Sequence, residues 1–139
     1  MSTQFFPIPG CQTTAAAVRA ALANSVLHLF KSSFAPTPAN ILADYTAAEA
    51  DYDTYVAITI TAWAAEILAP GTGYMILSGL QQFAVGASDP TVPNEIGGCY
   101  LVDAAGKLRL TGIFTAPVPM AMAGQGVPIT LTWLFPTGV

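Results

Sequence analysis

The chain has 139 residues, 53% of them hydrophobic and only 9% charged, with a formal net charge of −4; this is the size of one domain, with a largely uncharged surface. Four cations, Arg19, Lys31, Lys107 and Arg109, are too few to neutralise a run of phosphates, which excludes nucleic acid as the expected partner. The longest uncharged apolar run, Tyr55 to Ala65, is eleven residues and ends at Glu66, whereas a membrane-crossing helix needs about 20.

So apolar a composition exceeds what one small core hides, and the surplus is expected to face a neighbouring subunit. The opening Met1-Ser-Thr-Gln-Phe-Phe-Pro7 has neither the basic start nor the long apolar run of a secretory signal, and Pro136-Thr-Gly-Val139 matches no lipidation motif. The expectation is a soluble protein that is not exported by itself.

Residues 1–12 read as an extended N-terminal arm, because Pro7 and Pro9 oppose both helix and central strand; residues 13–139 read as one β-rich domain. Phe5, Phe6 and Pro7 either dock the arm on a neighbour or pack it back on its own domain. Thr13 or Thr14 can cap a short alanine-rich helix over roughly 14–24, with Val18 and Leu22 on one face and Arg19 pointing away. Val26 to Phe30 is a first strand, closed by Ser32-Ser33, Pro36 and Pro38. Thr46 and Glu49 have capping-box spacing, which predicts one or two helical turns near 47–52. Val56, Ile58 and Ile60 alternate with Ala57, Thr59 and Thr61, the pattern of a half-buried strand over 55–63.

Pro70 to Gly73 is a turn. Tyr74 to Leu77 and Leu80 to Val85 are strand material, with Gly79 as a bulge between them. Residues 87–98, with Pro90, Pro93, Gly97 and Gly98, read as a loop. Cys99 to Val102 and Lys107 to Phe114 flank Asp103-Ala-Ala-Gly106, where a type I turn followed by a left-handed glycine closes a hairpin. Residues 116–128 read as a Pro/Gly/Met-rich connection, and Ile129, Leu131, Trp133 and Phe135 line one face of a last strand. The fold class expected is mainly β, a small antiparallel sandwich or barrel of six to seven strands with a short N-terminal helix.

The same residues are poor in chemistry. His28 lies between Leu27 and Leu29 in a strand, with no local nucleophile signature, and reads as structural; a hydrolase would need Ser32, Ser33 or an acid beside it. One histidine and two distant cysteines make no zinc set, and Gly71-Thr-Gly73 lacks the rest of a nucleotide-binding fingerprint. No catalytic, cofactor-binding or metal residue is therefore assigned. Cys11 and Cys99 can pair in an oxidising compartment and are buried thiols in a cytosolic one. Asp44, Glu49, Asp51 and Asp53, among Tyr45, Tyr52 and Tyr55, form an acidic Tyr-rich loop at 44–55. Its alternative reading is a carbohydrate- or calcium-binding module, although the spacing is not that of an EF-hand. Met120 and Met122 either offer an adaptable contact surface or fill gaps beneath a loop.

Leu27-His-Leu-Phe-Lys-Ser-Ser-Phe-Ala-Pro-Thr-Pro38, Leu42 to Thr46, Asp51 to Tyr55, Thr61-Ala-Trp63, Tyr100 to Gly106 and Phe114 to Met120 follow one another in an order that resembles small structural proteins of tailed phages and prophages. The resemblance covers about residues 25–135 and departs in the Phe5-Phe6-Pro7 arm, the alanine-rich helix and Trp63-Ala64 in place of a Trp-Gly pair. It implies a non-enzymatic virion protein, assembled in the host cytoplasm, of the capsid-decoration, head-fibre or tail-associated type. It implies other virion proteins as partners and a homo-oligomer, a trimer by analogy with decoration proteins.

Overall fold

The computed structural model describes residues 8–64, 67–69 and 73–136. Among them, seven strands form two antiparallel sheets. β1 (Ser25–Lys31), β2 (Ile58–Ile60), β5 (Asn94–Val102) and β6 (Leu108–Met120) lie in the order β2-β1-β5-β6; β3 (Ile67–Ala69), β4 (Gly73–Ala84) and β7 (Gly126–Pro136) lie in the order β3-β4-β7. With α1 (Ile8–Ala21) and α2 (Leu42–Ala47), this is the mainly-β antiparallel fold expected, as a sandwich and not a closed barrel.

α1 begins at Ile8 and not near residue 14, so the proposed arm boundary at residue 12 falls inside a helix. Pro9 is compatible with this because the first turn of a helix has no use for its N–H. The helix ends where Asn24 takes a left-handed conformation, φ 61°. Its Leu22 carbonyl is then shared by the Ser25 amide (3.1 Å), the Ser25 hydroxyl (2.5 Å) and the Trp63 indole N–H (2.9 Å). α1 packs on β4 and β7 and sends Ala15 and Val18 into the core, joined by Leu22 from the turn that follows it.

That core lies between the sheets. Leu27, Leu29, Ile96, Cys99 and Leu101 project from one and Ile76, Phe83, Val127, Ile129 and Leu131 from the other. A second apolar cluster, Phe30, Tyr45 and Tyr100 with Phe34, Leu42, Ala48, Val102 and Leu108 around it, sits on the other face of the β2-β1-β5-β6 sheet, under α2.

Two local expectations hold in detail. Gly79 has φ 72° at the register shift between Leu77 and Leu80, as a bulge requires. Gly106 has φ 81° in the turn that joins β5 to β6, which is closed by Gly106 N–H on Asp103 C=O and Asp103 N–H on Lys107 C=O, both 2.9 Å.

Four others are corrected. The helical turn expected at 47–52 lies earlier, at Leu42–Ala47, because Asp44, not Glu49, accepts the free N–H at the helix start, that of Ile41 (2.9 Å). The strand expected over 55–63 is only Ile58–Ile60, since it pairs with Ser25–Leu27 alone and leaves Val56 73% exposed. The loop at 87–98 becomes strand from Asn94, and its glycines permit close approach: a Cβ on Gly98 would lie 2.1 Å from the Gly112 carbonyl oxygen and 2.5 Å from Phe30 Cζ. The connection at 116–128 is strand to Met120, because Val118, Pro119 and Met120 pair with Ile96, Glu95 and Asn94 along a sheet margin that tolerates proline.

Candidate functional site

The densest polar arrangement surrounds β1. Its margin is shared: β2 pairs with Ser25–Leu27, and beyond it the segment after α2 takes over, with Ala50 N–H on the Leu29 carbonyl (3.0 Å) and Lys31 N–H on the Ala48 carbonyl (2.9 Å). The remaining amide, Leu29 N–H, donates to the Tyr55 hydroxyl at 3.1 Å. Tyr55 in turn donates to Glu49 Oε1 (2.8 Å), and the same oxygen lies 2.5 Å from His28 Nδ1. With Glu49 ionised, Nδ1 carries the hydrogen. The His28 ring stacks on Tyr100, its cross-strand neighbour, at 4.7 Å and 9°.

Burial, with the Glu49 charge beside it, pushes the Tyr100 hydroxyl up to about 12, and burial drives Tyr55 upward as well. Both stay neutral donors at physiological pH. His28 thus has the acid partner that a general base needs, but Ser32 turns its hydroxyl to Glu95 Oε1 (2.8 Å). What the arrangement does is fasten residues 48–55 to β1. His28 and Glu49 are 21 positions apart, and no local pattern joins them.

The carboxylates of the 44–55 loop part company in the same way. Asp44 is held below the ordinary carboxylate range by the Ile41 N–H and the Asn40 side chain; Asp51 by Asn94 first and then Lys31; Asp53 by the Thr91 N–H and hydroxyl and the Val92 N–H. Asp103, which sequence reading placed only in a turn, is buried and accepts Ala105 N–H and Lys107 N–H (both 2.9 Å) and Arg109 Nε (2.6 Å). Among the described residues, no three metal-ligating side chains converge. An open cleft of about 440 Å³ lies beside the loop, lined by Lys31, Phe34, Asn40 and Asp44, but Lys31 is paired with Asp51 (3.2 Å) and Asp44 caps α2.

The interface residues expected from the sequence separate. Phe5, Phe6 and Pro7 lie outside the described residues. Met120 is corrected: it is 0% exposed and belongs to the core between the sheets, because β6 carries it inward opposite Asn94. Met122, two residues on in the β6–β7 turn, is 57% exposed. Cys99 is a free, buried thiol, pushed up to about 11 by burial, and the side chain of Cys11 lies outside what is described.

Sequence reading missed a feature that the topology makes plain. Every residue of β3, β4 and β7 is uncharged, and they all belong to one sheet. Away from the core this sheet presents half-buried Leu77 and exposed Leu80, Gln82, Ala84, Thr130 and Thr132, with Leu80 at 68%. The signal was available: no charge occurs from Ile67 to Ser88 or anywhere after Arg109. Comparison of the chain with family models, curated proteins and solved structures gave no match in any of the three.

Proposed function

We propose that this is a non-enzymatic structural protein that assembles through uncharged subunit contacts, of the virion type its sequence resembles: capsid decoration or cement, head fibre or tail-associated piece. The observation that carries the reading is the charge-free β3-β4-β7 sheet, whose outer side exposes Leu80 amid threonine, glutamine and alanine. A face without charge can be covered by another protein without stripping water from an ion, the main cost of burying polar surface. Phe5, Phe6, Pro7 and Met122 remain proposed additional contacts in such an assembly.

Light scattering on the full chain across a concentration series tests this. A closed oligomer is expected; a monomer that persists at high concentration would remove the self-assembly part of the proposal.

A further inference from the structure

Among the described residues β7 ends its sheet, and its pairing with β4 shows which way its backbone points. The single irregularity lies in β4, where Ser78 and Gly79 face Leu131, so β7 itself is regular. Leu131 N–H donates inward, to Ser78 Oγ of β4 at 2.9 Å. Backbone groups alternate along a strand, so the N–H and C=O of Thr130 and Thr132 point away from β4, to the open margin. Pro128 shares their parity, and its missing N–H is therefore on the side where no bond to β4 is lost. β6, which ends the other sheet, is blunted: Phe114 to Pro117 bulge opposite Gly97, and Pro119 follows.

We propose that β7 is the contact with a second copy of this chain: two β7 strands pair antiparallel about a two-fold axis through Leu131, joining the sheets in the order β3-β4-β7-β7-β4-β3. In this register Thr130 faces Thr132 of the partner subunit, and each such pair exchanges both of its N–H···O=C bonds. Three observations select a second copy over another occupant. Ile129-Thr-Leu-Thr-Trp133 has the same polarity pattern in both directions, so antiparallel self-pairing sets threonine against threonine on the outer face and apolar against apolar on the inner. The two-fold falls on the residue whose backbone is already used inward, which leaves the outward-facing residues symmetrically placed on either side. Two copies, each of net charge −4, repel, and this strand is one along which they meet with no charge on either side. The half-buried Trp133 would be covered across from Ile129 of the partner subunit.

The inference rests on the self-assembly proposed above and sharpens it, because an isologous pair gives even copy numbers and not the trimer that the resemblance implied. Sedimentation velocity and light scattering on the full chain test it with T130K/T132K, which sets like charges across the axis, and T130K/T132E, which sets opposite ones. T130P, which deletes an outward N–H only, is a second disruption should the lysine variant fail to fold. Thermal unfolding monitors the fold in each.

An even-numbered oligomer is expected for the unaltered chain. T130K/T132K should raise its dissociation constant by about tenfold or more, and T130K/T132E should restore it. An oligomer indifferent to T130K/T132K and T130P, or one that T130K/T132E fails to rescue, overturns the strand pairing and leaves self-assembly standing. A monomeric unaltered chain overturns both.

Discussion

On the β2-β1-β5-β6 sheet the side away from the core is finished by the chain itself: α2 lies over Phe30 and Tyr100, and residues 48–55 run on from it along the β1 margin, fastened by His28–Glu49, Tyr55–Glu49 and Lys31–Asp51. On the β3-β4-β7 sheet the corresponding side has no charge, and Leu80, Thr130 and Thr132 remain exposed. The chain's ion pairs lie where one segment is held to another, and they are absent from the face that the described residues leave uncovered. This division is what an assembling subunit needs, because ion pairs specify an intramolecular geometry while neutral surface associates at low desolvation cost.

The contrast breaks most severely from its covered side. Gly98→Ala would drive a Cβ to within 2.1 Å of a backbone carbonyl oxygen and 2.5 Å of the Phe30 ring, separating β5 from β6 and lifting Phe30 from Tyr45. A loss of roughly 3 kcal/mol or more is expected in urea unfolding, beyond ordinary overpacking because a strand must move. A change under about 1 kcal/mol would mean that the close approach at Gly98 is not as tight as described.

Next comes the alkaline limb of stability. Cys99 has its thiol raised from 9.0 to about 11, so between those values the folded state binds a proton that the unfolded state has lost. Its contribution is intact below about pH 9 and lost as pH rises through 11, about 2–3 kcal/mol when complete. Tyr100, raised from 10.0 to about 12, adds in the same direction. Cys99→Ala should flatten part of this limb in urea titrations, and native Cys99 should resist thiol reagents until the protein unfolds. At low pH the sign reverses: Asp44, Asp51 and Asp53 have lowered values, so their contribution is present above the ordinary carboxylate value of 3.8 and is lost as pH falls through the lowered ones. All three lie within residues 41–55, so hydrogen exchange at pH 3 should show that segment opening before β4 and β7. Simultaneous opening of both regions would contradict the division drawn here.

Glu49→Gln removes a charged acceptor shared by His28 and Tyr55 but leaves their packing, and a loss of about 1.5–3 kcal/mol is expected. Its specific readout is proteolysis or exchange within residues 41–55, since Leu29 N–H depends on a Tyr55 hydroxyl that Glu49 orients. Uniform destabilisation with no local loosening would show that the cluster holds no more than its share of the core.

How much of this was legible depended on whether the cause was local. The Gly79 bulge, the Asp103–Gly106 turn and the alternation of Ile129, Leu131 and Trp133 were readable, because glycine conformation and strand parity are properties of adjacent residues. Residues 55–63 and 94–98 were misread because partners decided them: the first has only a short length of β1 to pair with, while β5 admits Gly97 and Gly98 for the sake of Ser32 and Phe30. His28 and the acids are each visible in the sequence, yet their pairing depends on residues 48–50 continuing the margin that β2 leaves open. The prolines at 117 and 119 argued against strand only under the assumption of a central one.

The smallest effect on the fold is expected at Leu80, and it is the one that sharpens the contrast most. Leu80 faces Thr130 in the register and is 68% exposed, so Leu80→Gln removes little buried area and should change stability by less than about 0.5 kcal/mol. If the neutral face of the β3-β4-β7 sheet is covered on assembly, the same change weakens association while leaving unfolding of the dissociated chain where it was. The two readouts must therefore separate: a shift in the concentration dependence of the mass without a shift in the unfolding midpoint of the dilute protein. Were Leu80→Gln to lower that midpoint by as much as a core substitution does, Leu80 would be a packed residue of the chain's own fold, and the face would belong with the covered sheet.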